Sequence, residues 1–238
     1  MRNGSGSDIE DTEKSTRNLS HLCLPDRLLK AYKELRVSTL FLVRHGETDW
    51  NRSGQIMGEQ PVPMNQTGEA QVKRLATFLK SRSIHALYSS PVARALQTAE
   101  ILASALQVPV TADRGLTEIN VGEWEGQYWK HLTDEFARQQ FYARPEEARP
   151  PGGETLSEVQ TRAVAAVERA RTRAGADRLL FVSHADVVRT ILAHYLRLDL
   201  KTVRQLRIDH ASLTALEING TLADLLFLNY TTDPGSLS

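Results

Sequence analysis

The sequence predicts an α/β protein: a three-layer α/β/α sandwich whose central sheet is mostly parallel, with an antiparallel strand at its edge. Three observations carry that expectation. Thr39-Leu40-Phe41-Leu42-Val43 and Leu179-Leu180-Phe181-Val182 are short runs apolar on both faces. That is the pattern of parallel strands covered by helices on each side, not of a half-exposed strand that alternates. Other stretches carry apolar residues at helical spacing: Val72, Leu75, Ala76 and Leu79; Leu156, Val159, Ala163, Ala166, Val167 and Ala170; Val187, Val188, Ile191 and Leu192. Strand and helix therefore alternate along the chain. Near the end, Leu213 to Ile218 and Thr221 to Leu228 flank Asn219-Gly220, a strong hairpin signal that supplies the antiparallel edge.

Composition bounds the function. A chain of 238 residues with 41% hydrophobic content can bury one substantial core, most simply a single domain with an extension. Lys plus Arg and Asp plus Glu number 29 each, so no global field attracts nucleic acid or an anionic membrane, and any anion site has to be local. The single cysteine, Cys23, cannot form an internal disulfide, which fits a reducing compartment. No apolar run approaches the length of a membrane span, and the N-terminus lacks the apolar core of a signal peptide, so the expected location is cytoplasmic.

Residues 1–24 are rich in Ser, Asp, Glu, Asn and Gly and cannot offset their own ordering entropy, so a disordered polar tail is expected there. Over 25–36, Leu28, Ala31, Tyr32 and Leu35 recur at helical spacing, a short amphipathic helix expected to dock on the domain that follows. That domain spans 37–230, and 231–238 form a C-terminal tail. Its first strand stops at Arg44-His45-Gly46, where ligands gather in open α/β sheets, outside the carboxyl ends of the strands. A polar loop from Glu47 to Gln66 follows, and Thr67 is the expected N-cap of the next helix.

Ala86-Leu87-Tyr88-Ser89 reads as a second strand. Ser90-Pro91 reads as the N-cap and first position of a helix, which places Arg94 in its opening turn. A helix N-terminus beside an arginine attracts anions through dipole, orphan amides and formal charge together. The segment Leu116 to Gly126 combines glycines, a tryptophan and three carboxylates. The stretch from Gln127 to Arg149 is an expected helical insert forming a rim over the site, before Pro150-Pro151-Gly152-Gly153. Thr155-x-x-Glu158 is a capping box. Finally, Leu179 to Ser183 ends in His184, so two buried strands each terminate in a histidine.

Together Leu42-Val43-Arg44-His45-Gly46-Glu47-Thr48 with Asn51, Ser89-Ser90-Pro91-x-x-Arg94-Ala95-x-x-Thr98-Ala99, Glu118 ahead of Gly122-x-Trp124-Glu125-Gly126, and Val182-Ser183-His184 resemble the histidine phosphatase superfamily, the phosphoglycerate mutase-like proteins. The resemblance runs from about Ser38 to Asn229, with the motifs in the family's order; Ala185 stands where many members have Gly. It implies that His45 is a nucleophile that forms a phosphohistidine. Arg44, Arg94 and His184, the last cationic when phosphate is bound, are implied to clamp the equatorial oxygens, and Asn51 to donate a neutral hydrogen bond. Glu118 is the implied general acid, a role that requires a raised pKa. In the insert, Tyr128, Trp129, Phe141, Tyr142 and Arg144 are available for substrate contact.

The resemblance implies no cofactor and no metal. A metallohydrolase built on His45, His184 and Glu118 lacks a ligand-spaced His pair, and two arginines aimed at its centre repel a cation. A non-catalytic phosphate-binding module is expected to lack the nucleophile or an arginine, and this chain keeps them. A mutase working through the same phosphohistidine is the serious alternative. However, the short polar insert after Gly126, which continues Gln127-Tyr128-Trp129-Lys130, looks more like the phosphatase branch. The expected partner is a small phosphomonoester, with no nucleic acid and no membrane; a homodimer stays open. Deleting residues before Pro25 is expected to leave specific activity and melting temperature nearly unchanged, because polar, disordered residues bury little. A large loss of either, measured on the truncated chain, would show an ordered tail.

Overall fold

The computed structural model describes residues 37–132, 140, 141, 143–173 and 177–232. The expected tail over 1–24, Cys23, the helix over 25–36, the middle of the insert, Tyr142 and the C-terminal residues from 233 lie outside the described residues. The described elements are, in order, β1 (Val37–Arg44), α1 (Asp49–Ser53), α2 (Gln66–Leu79), β2 (Ala86–Ser89), α3 (Ala93–Leu106), β3 (Val110–Ala112), α4 (Leu156–Arg173), β4 (Arg178–Ser183), α5 (Ala185–Leu196), β5 (Leu213–Asn219) and β6 (Leu222–Tyr230). Short 3-10 turns lie between β3 and α4 at Arg114–Leu116, Gly122–Trp124 and Trp129–His131.

The sheet order is β3-β2-β4-β1-β5-β6. β3, β2, β4 and β1 are mutually parallel, while β5 runs antiparallel to β1 and β6 antiparallel to β5. The antiparallel part is thus a hairpin of two strands. Its loop is Gly220-Thr221, one residue further on than Asn219-Gly220, because Asn219 still pairs with Leu222. Gly220 takes the left-handed φ of +60° that the first loop position demands.

Both faces of the central strands are covered, as the unbroken apolar runs predict. Leu40, Leu42, Leu179, Phe181, Leu216 and Ile218 pack with Val159, Ala163 and Val167 of α4 and Val188, Ile191 and Leu192 of α5. On the other face Phe41, Val43, Leu180, Val182, Leu213 and Ala215 pack with Val72, Leu75 and Leu79 of α2 and Ala95, Ala99 and Leu102 of α3. The result is the expected three-layer sandwich. The capping box before α4 is present, with Glu158 N donating to Thr155 Oγ1 (3.1 Å) and Thr155 N to the Glu158 carboxylate (2.8 Å). Among the described residues no helix is long and apolar enough to cross a membrane.

Three local expectations need correction. The loop after Gly46 is not without structure, since Thr48 and Asn51 form a capping box that launches the single turn α1. The N-cap of α2 is Asn65, whose side chain accepts from Gly68 N at 2.9 Å, and Thr67 lies inside the helix. Ser90-Pro91 does not open α3, because Ser90 N still donates to Val182 O (2.9 Å) as an extension of the sheet; the helix starts at Ala93, with Val92 at the N-cap position and no side-chain cap. Arg94 nevertheless falls in its first turn.

The turn after β1 is pressed against α2. A Cβ on Gly68 would meet Glu47 O at 2.3 Å and Glu47 N at 2.6 Å, both backbone atoms that cannot swing aside. Gly68→Ala gains roughly 1 kcal/mol of helix propensity and is expected to lose more by forcing α2 off the Gly46-Glu47 turn. The net expected result is a destabilisation of about 1–3 kcal/mol in urea unfolding, with a fall in turnover. A variant as stable and active as the parent would show that the contact yields without cost.

Candidate active site

Four parallel strands deliver their carboxyl ends to one edge of the domain. Arg44 pairs with Ser183 at the last rung of β1 and β4, and His45 N continues the ladder to Ser183 O at 2.9 Å. His45 and His184 therefore leave neighbouring strands at the same height, with ring centroids 5.2 Å apart and planes at 60°. Both are buried, at 1% and 0% exposure.

The surroundings of His45 determine its tautomer. Its Nδ1 lies 2.8 Å from Gly46 O, an acceptor only, so Nδ1 carries the proton. Its Nε2 lies 3.2 Å from Arg94 Nε, a donor only, so Nε2 carries a lone pair. Burial, then the charges of Arg94, His184 and Arg44, hold the imidazole well below its usual pKa, which keeps it neutral. α3 braces this arrangement: Thr98 Oγ1 accepts from Gly46 N (3.1 Å) and donates to Arg94 O (2.8 Å).

Arg94 is wholly buried. Besides His45 it meets Gln60 O (3.0 Å) and Gly58 O (2.8 Å), carbonyls of the loop after α1. That loop is itself held by Glu125, which accepts from Glu59 N (3.0 Å) and Gln60 Nε2 (2.6 Å). Arg44 donates to Ile208 O (2.8 Å), while its Nε is buried without a partner. Burial lowers both arginines to about 10, far enough above neutrality that both stay charged.

His184 Nε2 lies 2.9 Å from Ser90 Oγ, and Ser90 is held in place because its hydroxyl also accepts from Val92 N. His184 Nδ1 is buried without a hydrogen bond and lies 3.9 Å from Glu118 Oε2. Burial, then Arg94, Arg44 and Arg162, push His184 well below its usual range. It is neutral in this arrangement, and a cationic His184 requires an anion beside it. Glu118 moves the opposite way, pushed up to about 7 by burial first and by the charge of Asp186 next, against the pull of Arg94, Ile119 N–H and Arg44. Half-protonated near neutrality, it can both give and take a proton. Among the described residues no three His, Cys, Asp or Glu side chains come together as a metal-ligand group.

The remaining predicted residues are placed less centrally. Asn51 sits on α1 with its amide oxygen engaged by Thr48 N (3.0 Å) and Thr48 Oγ1 (2.9 Å), so only its NH2 end can serve a ligand. Phe141 is 1% exposed and packs edge-on against Trp124, a core residue and not the available contact expected of it. Trp129 lies half-buried beside the same Trp124. Tyr128 bridges to Gln55 under Lys130, and Arg144 is exposed and ion-paired with Glu147.

Two residues escaped the sequence reading. His210 precedes β5 and its ring centroid lies 6.1 Å from that of His45. Arg162 of α4 donates to Gly115 O (2.9 Å), Thr117 O (2.7 Å) and Glu118 O (3.0 Å), and pairs with Glu154 through Nε (2.8 Å) and Nη2 (2.9 Å). It thereby fixes the irregular segment that carries Glu118.

An α/β sandwich that gathers two neutral histidines, two charged arginines and one raised carboxyl at its strand ends has the makings of a phosphoryl-transfer enzyme. The model of the histidine phosphatase superfamily (branch 1) matches residues 40–231, and the chain belongs to that family. It is 33% identical over 185 residues to the probable phosphoglycerate mutase GpmB of Shigella boydii, covering 77% of this chain and 86% of that protein. Among solved structures it is similar to Bacillus stearothermophilus YhfR, at 32% identity and a TM-score of 0.75, covering 79% of this chain and 95% of that one. It is also similar to a putative alpha-ribazole-5'-P phosphatase from Escherichia coli, at 29% identity and a TM-score of 0.74, covering 81% and 96%.

The site's titration makes a directional prediction. A general acid at Glu118 is competent only while protonated, so kcat/KM for an alkyl phosphate is expected to fall as pH rises through about 7. His45 loses its lone pair only well below 6.5, so its limb lies on the acid side. Glu118→Gln is expected to erase the fall near 7 relative to the parent on the same substrate, at a lower rate throughout. A fall that survives the substitution would assign it to another group.

Proposed function

We propose that this chain is a phosphomonoester hydrolase that acts on a small phosphorylated metabolite through a phosphohistidine at His45. The observation that carries the reading is the doubly enforced tautomer, Nδ1–H on Gly46 O and a lone pair on Nε2. Nε2 attacks phosphorus in line, the P–N bond forms, and the ester P–O bond breaks. The proton of Glu118 passes to the departing alkoxide. Arg94 first moves its Nε–H from Nε2 to a phosphoryl oxygen, so that substrate binding frees the lone pair it will use. Arg44, Arg94 and His184, with the NH2 end of Asn51, hold the equatorial oxygens, where charge accumulates and positioning supplies most of the rate. Water then attacks phosphorus, its proton goes to the Glu118 carboxylate, and the P–N electron pair returns to Nε2.

Mutases share this first half and differ in what attacks the phosphohistidine. The relation to GpmB, named a probable phosphoglycerate mutase, keeps that second reading in play. The phosphatase named among the similar structures supports hydrolysis, as does a short, polar insert ill-suited to excluding water. Tyr128, Trp129 and Arg144 are proposed to line the leaving-group side. The single cysteine, Cys23, fits a cytoplasmic location for such an enzyme.

The expected outcome is release of inorganic phosphate from small monoesters without metal or bisphosphoglycerate. His45→Ala is expected to abolish turnover and the acid-labile, base-stable phosphoenzyme, and Glu118→Gln to slow alkyl esters far more than aryl esters, whose leaving groups need less protonation. Efficient interconversion of 2- and 3-phosphoglycerate, dependent on bisphosphoglycerate and with negligible phosphate release, would overturn the hydrolase reading and leave the histidine roles intact.

A further inference from the structure

β5 runs antiparallel to β1 and opposes Leu213 to Val43, so the residues just before β5 stand beside the exit of β1. These are His210-Ala211-Ser212, and their backbone is tied to the nucleophile's own: Ala211 N donates to His45 O (3.1 Å) and Arg44 N to Ser212 O (3.3 Å). Ala211 takes a left-handed φ of +49°, a conformation unfavourable for any residue with a Cβ. This strained turn places the His210 ring 6.1 Å from that of His45, with planes at 42°. In the sheet β1 lies between β4 and β5. His45 is therefore flanked by an imidazole from each neighbour, His184 following β4 and His210 preceding β5.

The polar atoms around it are matched unevenly. His210 Nε2 is buried with no hydrogen-bond partner, as are Arg44 Nε and His184 Nδ1. Orphaned buried polar atoms are few in folded proteins, and three of them on residues around one nucleophile mark a place where a ligand completes the bonding. Nor does the adjacent carboxylate satisfy His210. Asp209 is held by Arg207 (2.9 Å) and by Asn229, whose Nδ2 donates to it at 2.9 Å while Asp209 N donates to Asn229 Oδ1 at 2.6 Å. Burial and the Arg44 charge push His210 down to about 3, with Asp209 opposing, so the ring is neutral. Beside a cationic arginine, a neutral N–H offers an anion a directed bond without adding like-charge repulsion.

We propose that His210 contacts the substrate phosphoryl group, donating from Nε2–H to a non-bridging oxygen beside Arg44, as the β5-side counterpart of His184. The inference rests on reading His45 as the nucleophile. It adds a third imidazole to the phosphate pocket, carried by a strand that the Arg-His and Ser-His motifs do not include.

The test compares His210→Phe, which keeps a ring and removes the donor, with His210→Gln, whose amide nitrogen restores a donor at similar reach. Both variants are checked for an unchanged melting transition, and inorganic phosphate is used as a competitive inhibitor of aryl phosphate hydrolysis. In His210→Phe the inhibition constant of phosphate is expected to rise about tenfold or more and kcat/KM to fall by at least that factor, the loss of one bond to a charged oxygen. His210→Gln is expected to recover most of both. Unchanged phosphate inhibition in a folded His210→Phe, or a changed KM for one ester with phosphate inhibition intact, would overturn the proposal. If Phe does not fold, His210→Ala, which also removes the donor, takes its place: a phosphate inhibition constant raised about tenfold or more supports the contact, and one within about threefold of the parent overturns it. Trapping the phosphoenzyme in the parent protein separates the two readings, since its absence there condemns the nucleophile and not His210.

Discussion

The in-register pairing of β1 with β4 is the constraint on which the rest depends. Parallel strands bury both faces, which is why Leu40 to Val43 and Leu179 to Val182 are apolar without alternation and nearly inaccessible to water. A slip of one residue would send every one of those side chains to the opposite layer, where it would meet the wrong helices. The register that the core enforces is the register that sets His45 beside His184, so the geometry of the polar pair is underwritten by apolar packing on both sides of the sheet. Stability and site geometry share one cause here.

That arrangement carries an electrostatic cost. Two guanidinium groups and three imidazoles are drawn out of water into one corner; each loses proton affinity first through burial, and the imidazoles lose more through the charges of the arginines beside them. The arginines tolerate this because their ordinary pKa lies so high, whereas the histidines become neutral. Backbone carbonyls of Gly58, Gln60 and Ile208 partly compensate the arginines. They are dipoles and not charges, so a positive potential remains that a dianion can satisfy. The same potential pulls the Glu118 carboxyl downward, and burial with Asp186 outweighs it. A carboxyl that titrates near 7 is the balance of those opposing effects.

How much of this was legible in the sequence follows from what each signal encodes. Period and burial are local, so the strands of the core, the stripes of α2, α4 and α5 and the capping box at Thr155 could be read directly, as could the Arg-His and Ser-His strand ends. Choices between neighbouring polar residues could not. Asn65 and Thr67 are both able caps, and Asn65 serves because Gly68 has to lie against the Glu47 backbone. Ser90-Pro91 has the composition of a helix start, but the sheet retains the Ser90 amide. Phe141 looks like a rim aromatic until Trp124 is seen to cover it. His210 belongs to no periodic pattern, and its meaning comes from an antiparallel strand whose beginning abuts the end of β1.

Arg162 was hidden for a different reason, since an arginine on the polar side of an amphipathic helix reads as solvated. Its partners are three carbonyls and one carboxylate, and their arrangement explains how Glu118 is positioned on a segment with little regular structure. Between Asp113 and Trp124 the regular structure is limited to two single 3-10 turns. Gly115, Thr117 and Glu118 give their carbonyls to one guanidinium, which is itself oriented by Glu154, and Glu154 also accepts from Asn120 N at 2.9 Å. The fork of an arginine can bind several acceptors at fixed angles, where an ammonium would act as a point charge. α4 therefore transmits the rigidity of the sandwich to Glu118. Glu118 is as firmly placed as His45, although it stands in a loop and His45 at the end of a strand.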